Sequence, residues 1–212
     1  MAKKVYPSEG QHLGTVCFSE EFLLLREVYV RMERETEARQ VLVLLNRGRQ
    51  VRQDSGKWTK RDLESVVRWR HMHALIPNIE RQADIELRLA EAFKVQDEES
   101  RTEALCRIPG IGPVLASVLL TLTFPEEYAP LDNHTWKALS SLGFELRNRP
   151  SSGGGYRIPE LLRYQRLMKS LAKKTGSIPW ETAKALYALD QVKTRAKWKL
   201  KFDSIKSIEL EA

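Results

Sequence analysis

The stretch that most constrains the fold of this chain is a glycine-containing corner between two helical patterns. The corner is Ile108-Pro109-Gly110-Ile111-Gly112, and glycines at such positions allow positive φ and close approach of a second backbone. Pro113 follows directly and suits the first turn of a helix, because its missing N–H would be unpaired there anyway. Residues 114–122 then repeat apolar side chains at three and four positions, which predicts a helix with one strongly apolar face.

The corner also has a chemical consequence. The first N–H groups of a helix have no partner within the helix, and the helix dipole places positive potential at that end. A glycine turn leaves these groups accessible, so the segment predicts a site for an anion such as a phosphate.

An aspartate with helix-capping context lies twenty residues beyond the corner. Asp132 precedes Asn133, His134 and Thr135 and then an apolar-periodic run, which is typical of a helix N-cap. Taken alone, Asp132 is most simply that cap, and the glycine corner is most simply a turn between two helices.

Taken together and in this order, the two segments resemble a known family. Ile108-Pro109-Gly110-Ile111-Gly112 and Leu131-Asp132-Asn133-His134 are similar to the motifs of the helix-hairpin-helix DNA glycosylases, the superfamily of endonuclease III, adenine glycosylase and alkylbase glycosylase. The resemblance is strong between these two segments, and the flanking helices agree with it by pattern only.

The resemblance implies a fold. Members of the family are all-α proteins with two helical lobes, and the base pocket lies in the cleft between them. On this basis residues 55–142 form the lobe with the hairpin, and residues 1–54 together with 143–212 form the other lobe.

The resemblance also implies a reaction, in which a damaged or mispaired base is flipped out of double-stranded DNA and its N-glycosidic bond is cleaved. Asp132 would be the catalytic carboxylate, which stabilises positive charge on the sugar or activates the attacking water. Gly110, Ile111 and Gly112 would hold a DNA phosphate through main-chain N–H groups. Hairpin carbonyls of relatives hold a monovalent cation, so Na⁺ or K⁺ is the implied cofactor here.

The chain departs from the bifunctional members of the family at one position. They carry a nucleophilic lysine two residues after the second hairpin glycine, and this chain has Val114 there. We therefore expect a monofunctional, water-dependent DNA N-glycosylase acting in base excision repair. Two alternatives stay open: a non-catalytic helix-hairpin-helix DNA-binding protein, and a lyase that uses a lysine elsewhere.

Four further side chains are candidates for the base pocket because of their position or their aromatic faces: Trp69, His71, His134 and Trp136. Aromatic faces hold bases by stacking, although both tryptophans equally suit a buried core.

Composition narrows the class of protein. The net charge of +7 and the isoelectric point near 9.4 favour a polyanionic partner. Cys17 and Cys106 are far apart, which excludes a four-cysteine iron–sulfur cluster and predicts neither a zinc site nor a disulfide scaffold. No apolar run of membrane-spanning length and no signal-peptide core are present. We therefore expect a monomeric protein that lies in the cytoplasm and associates with the nucleoid. The sequence does not specify which damaged or mispaired base it acts on.

Several segments give more local expectations. The charged run 31–39 is either a continuous solvated helix face or a break between two helices, and we favour the break or strong exposure. Residues 46–57 predict a polar linker that is either a phosphate-contacting loop or a solvated connector. Thr59 with Asp62 three residues later predicts a capping pair at the start of a helix. Residues 77–94 predict one helix. Residues 14–18 predict the one short strand, and 144–157 a glycine-rich loop. The basic tail 193–201 either docks on phosphates or is a frayed end.

Overall fold

The computed structural model describes residues 18–33, 35–53, 56–144 and 155–194, and within these ranges the chain is all-α, as predicted. No strand occurs in the described ranges, and no described helix is long and apolar enough to cross a membrane. Residues 14–17 of the predicted strand, most of the predicted glycine-rich loop and most of the basic tail lie outside the described residues, and Phe18 belongs to a helix rather than to the predicted strand. The ten helices are α1 (Phe18–Met32), α2 (Glu35–Arg52), α3 (Lys60–Trp69), α4 (Ile76–Glu80), α5 (Ile85–Lys94), α6 (Glu98–Cys106), α7 (Pro113–Thr123), α8 (Asn133–Ser141), α9 (Ile158–Thr175) and α10 (Pro179–Thr194).

Helix α7 is the centre of the core. Every residue from Leu115 to Thr123 is buried, because α2, α3, α6 and α9 all pack against this helix. The burial therefore extends beyond the single apolar face that the periodicity predicted. The hydroxyls of Ser117 and Thr121 tolerate this position because they donate to the carbonyls of Val114 and Ser117, each at 2.7 Å.

The prediction of a polar linker over 46–57 is wrong for most of that range. Helix α2 continues to Arg52, and a Cβ built on Gly48 would overlap the carbonyl oxygen of Leu122. The glycine therefore lets α2 lie directly against the backbone of α7. Arg47 donates to the Asp62 carboxylate at 2.8 Å and to the Lys57 carbonyl at 2.6 Å, so it braces α2 against α3.

Two other helix predictions had different outcomes. The break in the 31–39 run is confirmed, since α1 ends at Met32 and α2 begins at Glu35. The single helix over 77–94 is wrong, because α4 and α5 are separate helices. Ile79 and Ile85 are both fully buried. In a continuous helix, residues six apart point roughly 120° away from each other, so the break between α4 and α5 lets both side chains reach the core.

The remaining helices gather around α10. Helices α1, α8 and α9 all pack against it, and they bring the segment before α8 close to α1. The predicted capping pair of α3 is confirmed as a full capping box. Asp62 N–H donates to Thr59 Oγ1 at 3.2 Å, and Thr59 N–H donates to Asp62 Oδ2 at 2.9 Å.

Candidate functional site

The glycine corner forms a tight, well-seated turn. Gly110 has φ +81°, and the N–H of Ile111 donates to the carbonyl of Ile108 at 2.9 Å. Both isoleucine side chains are buried, with 4% and 1% of their surface exposed. These two anchors fix the corner to the core while the glycine backbone faces outward.

A glutamine braces the corner from the side. Gln82 Nε2 donates to the carbonyl of Pro109 at 2.6 Å and to that of Asn78 at 3.0 Å. The Pro109 carbonyl therefore already has a donor, as does the Ile108 carbonyl. No cluster of three or more metal-ligating side chains occurs among the described residues.

Gly112 is the N-cap of α7 and has no side chain with which to cap it. Its φ of −80° and ψ of 175° suit any residue, and a Cβ built there would meet no described atom within 4 Å. Nothing in the described fold therefore requires glycine at this position. A molecule that approaches the first turn of α7 from outside would require it.

Asp132 is the N-cap of α8, as the sequence predicted. Its Oδ1 accepts the backbone N–H groups of His134 at 2.9 Å and Thr135 at 2.8 Å, and the Thr135 hydroxyl also donates to it at 3.1 Å. One carboxylate oxygen is thus saturated by the capping role, and only Oδ2 is left for other chemistry.

The second oxygen of Asp132 faces an arginine. Arg70 Nη2 lies 3.3 Å from Oδ2, with 22% of the Arg70 side chain and 13% of the Asp132 side chain exposed. The Arg70 guanidinium also lies over the ring of Trp69 at 5.4 Å. The next residue, His71, has φ +55°, a conformation that non-glycine residues seldom adopt.

The segment that leads into Asp132 is held by polar side chains. Gln165 on α9 accepts from Ala129 N–H at 2.9 Å and donates to the Ala129 carbonyl at 2.7 Å. Tyr164 donates to the Pro130 carbonyl at 2.8 Å, and burial raises the pKa of its hydroxyl far above the ordinary value. Each bond replaces water at a buried backbone group, so the position of Asp132 is well defined.

One further bond couples this segment to the helix that begins at the corner. Ser117 Oγ accepts the N–H of Leu131, the neighbour of Asp132, at 2.8 Å. Ser117 lies five residues after Gly112, which is about 7 Å along the axis of α7. The corner and the carboxylate are therefore attached to the same turns of one buried helix.

Asp132 lines a cavity of about 470 Å³, which we name the Asp132 cavity. Trp69 and His71 line it too, so the structure brings three of the predicted site residues together. The hairpin residues are not among the described residues that line it. Its other walls come from α1, the start of α2 and α10, and they carry Tyr29, Met32, Glu33, Glu37, Gln40, Trp180, Ala183, Lys184, Tyr187 and Gln191.

The other two pocket candidates lie beside the cavity rather than on its wall. The His134 ring packs edge-on against Tyr187 with centroids 4.8 Å apart, and its Nδ1 lies 2.7 Å from the Asp190 carboxylate. Trp136 is only 4% exposed and packs against Tyr164 in the core. This position fits the buried core role that its pattern also allowed.

Helix α10 contributes site residues that the sequence did not single out. Lys184 Nζ lies 5.5 Å from the ring centroid of Tyr29 and 5.0 Å from that of Trp180, and 3.3 Å from the Glu181 carboxylate. Burial raises the pKa of Tyr29 far above its ordinary value, and the charge of Glu33 adds to the effect. The signal available in the sequence was a lysine four residues after a tryptophan on one helix face.

Comparisons with protein-family models, with curated proteins and with solved structures gave no significant match.

Proposed function

We propose that this chain is a monofunctional DNA glycosylase, which excises a flipped base from double-stranded DNA by hydrolysis. The observation that carries the proposal is the position of Asp132 on the wall of a cavity lined by aromatic rings. Its volume of about 470 Å³ is in the range of small-molecule sites. The partly exposed rings of Trp69 and Tyr29 line it and offer faces on which a base can stack.

In this proposal the two lobes are residues 55–142 and residues 1–54 with 143–212, and the Asp132 cavity lies between them. Helices α1, α2 and α10 line one side, and the end of α3 with the Asp132 segment lines the other. The hairpin would bind a phosphate next to the flipped nucleotide, and the rigid connection through Ser117 would fix the distance from that phosphate to Asp132. A monovalent cation at the remaining hairpin carbonyls belongs to the same proposal.

The reaction assigns separate roles to the two oxygens of Asp132. The N-glycosidic bond breaks, its electron pair leaves with the base, and positive charge develops at C1′ of the sugar. Oδ1 stays hydrogen-bonded to the helix N-terminus, and Oδ2 faces the sugar and stabilises that charge. Water then adds to C1′ and releases a proton to bulk solvent or to the departing base.

Arg70 has to leave Oδ2 during this step. A guanidinium at 3.3 Å opposes the approach of a positively charged sugar. A DNA phosphate is the natural alternative partner for it, since arginine binds phosphates with bidentate, charge-assisted hydrogen bonds. DNA binding would thereby uncover the carboxylate.

Asp132→Asn tests the proposal. Duplex oligonucleotides that each carry one alkylated, deaminated, mispaired or oxidised base are incubated with the full chain, and alkali reveals abasic sites. We expect the wild type to act on at least one of them, and the variant to be slower by about 10²- to 10³-fold with retained DNA affinity. Asp97→Asn is the matched control, because Asp97 caps α6 through Ser100 N–H at 2.7 Å without lining the cavity.

The rival hypothesis predicts another result. A non-catalytic DNA-binding protein would form no abasic sites on any substrate, and Asp132→Asn would then have no turnover to lose. That outcome, with wild-type DNA affinity in the nanomolar to micromolar range, would overturn the enzymatic proposal in favour of the binding module.

One observation favours a second candidate activity, a lyase. Lys184 lines the same cavity as Asp132, and 19% of its side chain is exposed. Its ammonium would first pass a proton to Glu181, 3.3 Å away, and the free amine would attack C1′ while the base leaves with its electron pair. The C1′–O4′ bond then opens as the imine forms, and the two protons lost from nitrogen go to the base and to O4′. Borohydride would reduce that imine to a stable cross-link in the wild type but not in Lys184→Ala, whereas Lys137→Ala, a change on an exposed part of α8, would still cross-link. Abasic products without any cross-link would exclude the lyase and indicate that the chain acts by hydrolysis only.

A further inference from the structure

A second cavity lies at the end of α7 opposite the glycine corner, and we name it the Phe124 cavity. Its volume is about 630 Å³, which is within the range of ligand sites. Among the described residues it shares no lining side chain with the Asp132 cavity, so the proposed glycosylase reaction does not account for it.

The charged side chains on its wall are all cationic. Arg52, Lys57, Lys94 and Arg101 line the cavity, and no aspartate or glutamate of the described residues does. Helices α2, α5 and α7 all end here, and the negative ends of their dipoles favour cations at these positions. Because the same dipoles disfavour an anion, a bound phosphate depends on the charges of the side chains alone.

Acidic partners are present outside the wall, but they hold the cations weakly. Arg52 pairs with Glu126 at 2.8 Å, with 43% and 55% of the side chains exposed. Lys57 pairs with Glu86 at 3.5 Å, with 62% and 35% exposed. Such exposed pairs are weak because solvent screens them, and a phosphate forms stronger, multiply hydrogen-bonded contacts with the same groups.

The fourth cation is fixed by the protein itself. Arg101 is buried, with 6% of its surface exposed. Its Nε donates to the Val95 carbonyl at 2.7 Å and its Nη2 to the Gln96 carbonyl at 3.0 Å. Its Nη1 lies 3.5 Å from the Glu127 carboxylate, and its guanidinium lies 4.4 Å from the centroid of Phe124. Its charge is therefore committed within the protein, and contact with a ligand is left to the other three cations.

The rest of the wall is aromatic. The rings of Phe93 and Phe124 lie 6.3 Å apart and are tilted by 36°. Trp58 also lines the cavity, and its indole N–H already donates to Thr123 Oγ1 at 3.1 Å. Because Trp58 is only 1% exposed, planar apolar contact with a ligand is left to Phe93 and Phe124. The Arg52 guanidinium lies 5.6 Å from the centroid of the Phe124 ring.

We propose that the Phe124 cavity binds a mononucleotide. Its phosphate contacts Lys57, Lys94 and Arg52, whose guanidinium moves off the Phe124 ring to reach it. Its base then lies against the rings of Phe93 and Phe124. The proposal requires a ligand with both a phosphate and a base, because the cations alone would fit any small anion and the rings alone would fit any planar molecule. The inference is independent of the proposed glycosylase activity.

Calorimetric titration of the full chain with AMP at low salt tests the inference. We expect saturable binding with a dissociation constant below about 1 mM, and binding of adenosine and of inorganic phosphate at least about tenfold weaker. The double variant Lys57→Ala/Lys94→Ala should weaken AMP binding at least about tenfold, because each substitution removes a charge-assisted contact to the phosphate. No saturable binding of AMP, or equal affinity for adenosine or for phosphate, would overturn it.

Two controls place the binding in this cavity. Lys137→Ala/Lys173→Ala removes the same charge from exposed positions of α8 and α9 and should keep wild-type affinity for AMP. Trp69→Leu alters the Asp132 cavity and should also keep it. If Trp69→Leu abolishes AMP binding while the Lys57/Lys94 variant keeps it, the nucleotide occupies the Asp132 cavity and the inference is wrong.

Discussion

Gly48 and Gly112 both adjoin α7, but the structure requires glycine at only one of the two positions. Gly48 on α2 lies so close to α7 that a Cβ would overlap the carbonyl oxygen of Leu122. Gly112 begins α7, has an ordinary backbone conformation, and a Cβ there would meet no described atom within 4 Å. The fold requires the first glycine and is indifferent to the second.

The two glycines differ in what lies next to them. At Gly48 the approaching backbone belongs to the protein, so the missing side chain serves packing. At Gly112 no described part of the protein fills the space, and the helix N-terminus is open to an anion. The contrast separates a glycine that packing requires from one that the described packing does not require.

The largest expected effect is on stability, from Gly48→Ala. The added methyl group has to push α2 away from α7, and we expect a loss of about 3 kcal/mol or more in the free energy of unfolding. For a chain of this size the melting temperature should fall by roughly 6–12 °C, as measured by circular dichroism. Gly112→Ala is the matched variant and should stay within about 1 kcal/mol of the wild type.

A wild-type melting temperature for Gly48→Ala would contradict the close packing of α2 on α7. A large loss for Gly112→Ala would contradict the open space at the corner. Either result would remove the contrast between the two glycines.

The next effect is on DNA binding, from Gly112→Ala. A methyl group at the start of α7 lies between a phosphate and the backbone N–H groups, so we expect affinity for duplex DNA to fall about tenfold. Fluorescence anisotropy at one fixed salt concentration measures it. Gly155→Ala is the control, because a Cβ there also meets no described atom within 4 Å. Equal affinities for the two variants would make the corner a simple turn.

Local signals explain what the sequence could predict. The corner and the cap at Asp132 depend on residues within a few positions of each other, and so does the Thr59–Asp62 capping box. Each was therefore visible as a short pattern. The function of the corner was predicted by resemblance and stays a prediction.

Tertiary contacts explain what the sequence could not predict. Gly48 looked like part of a linker because its requirement comes from Leu122, which is distant in the sequence. Arg70, Gln165 and Lys184 reach the Asp132 segment or its cavity only because α3, α9 and α10 converge there. No periodicity within one helix records which other helix it will contact.

Two capping carboxylates repeat the contrast at a smaller scale. Asp62 and Asp132 both sit at helix N-termini, but Asp62 is committed to Thr59 and Arg47. Partial burial raises the pKa of Asp62, but the hydrogen bonds from Thr59 and Arg47 outweigh it, and the net pKa is below its ordinary value. Asp62 should therefore affect stability alone.

We expect Asp62→Asn to lower the free energy of unfolding by about 1 kcal/mol at pH 7. Because the pKa is depressed in the folded state, the ionised form contributes stability above the unfolded pKa, and the contribution is lost as pH falls through the folded value. The difference from the wild type should thus shrink below about pH 4, as urea unfolding at several pH values would measure. A change in turnover without a change in stability would contradict the structural role.

The smallest effect is on the reactivity of a thiol next to the corner. Cys106 is the last residue of α6, and burial raises the pKa of its thiol to about 11, with a contribution from Glu103. In a Cys17→Ser background, an aromatic disulfide reagent should react at least about tenfold more slowly than with free cysteine at neutral pH, and faster as pH rises toward the thiol pKa. Gly48→Ala should speed this reaction, because loosening α7 exposes α6. Gly112→Ala should leave the rate unchanged. A faster reaction in this variant would mean that the substitution had opened the corner. The weaker DNA binding of Gly112→Ala would then be a packing effect.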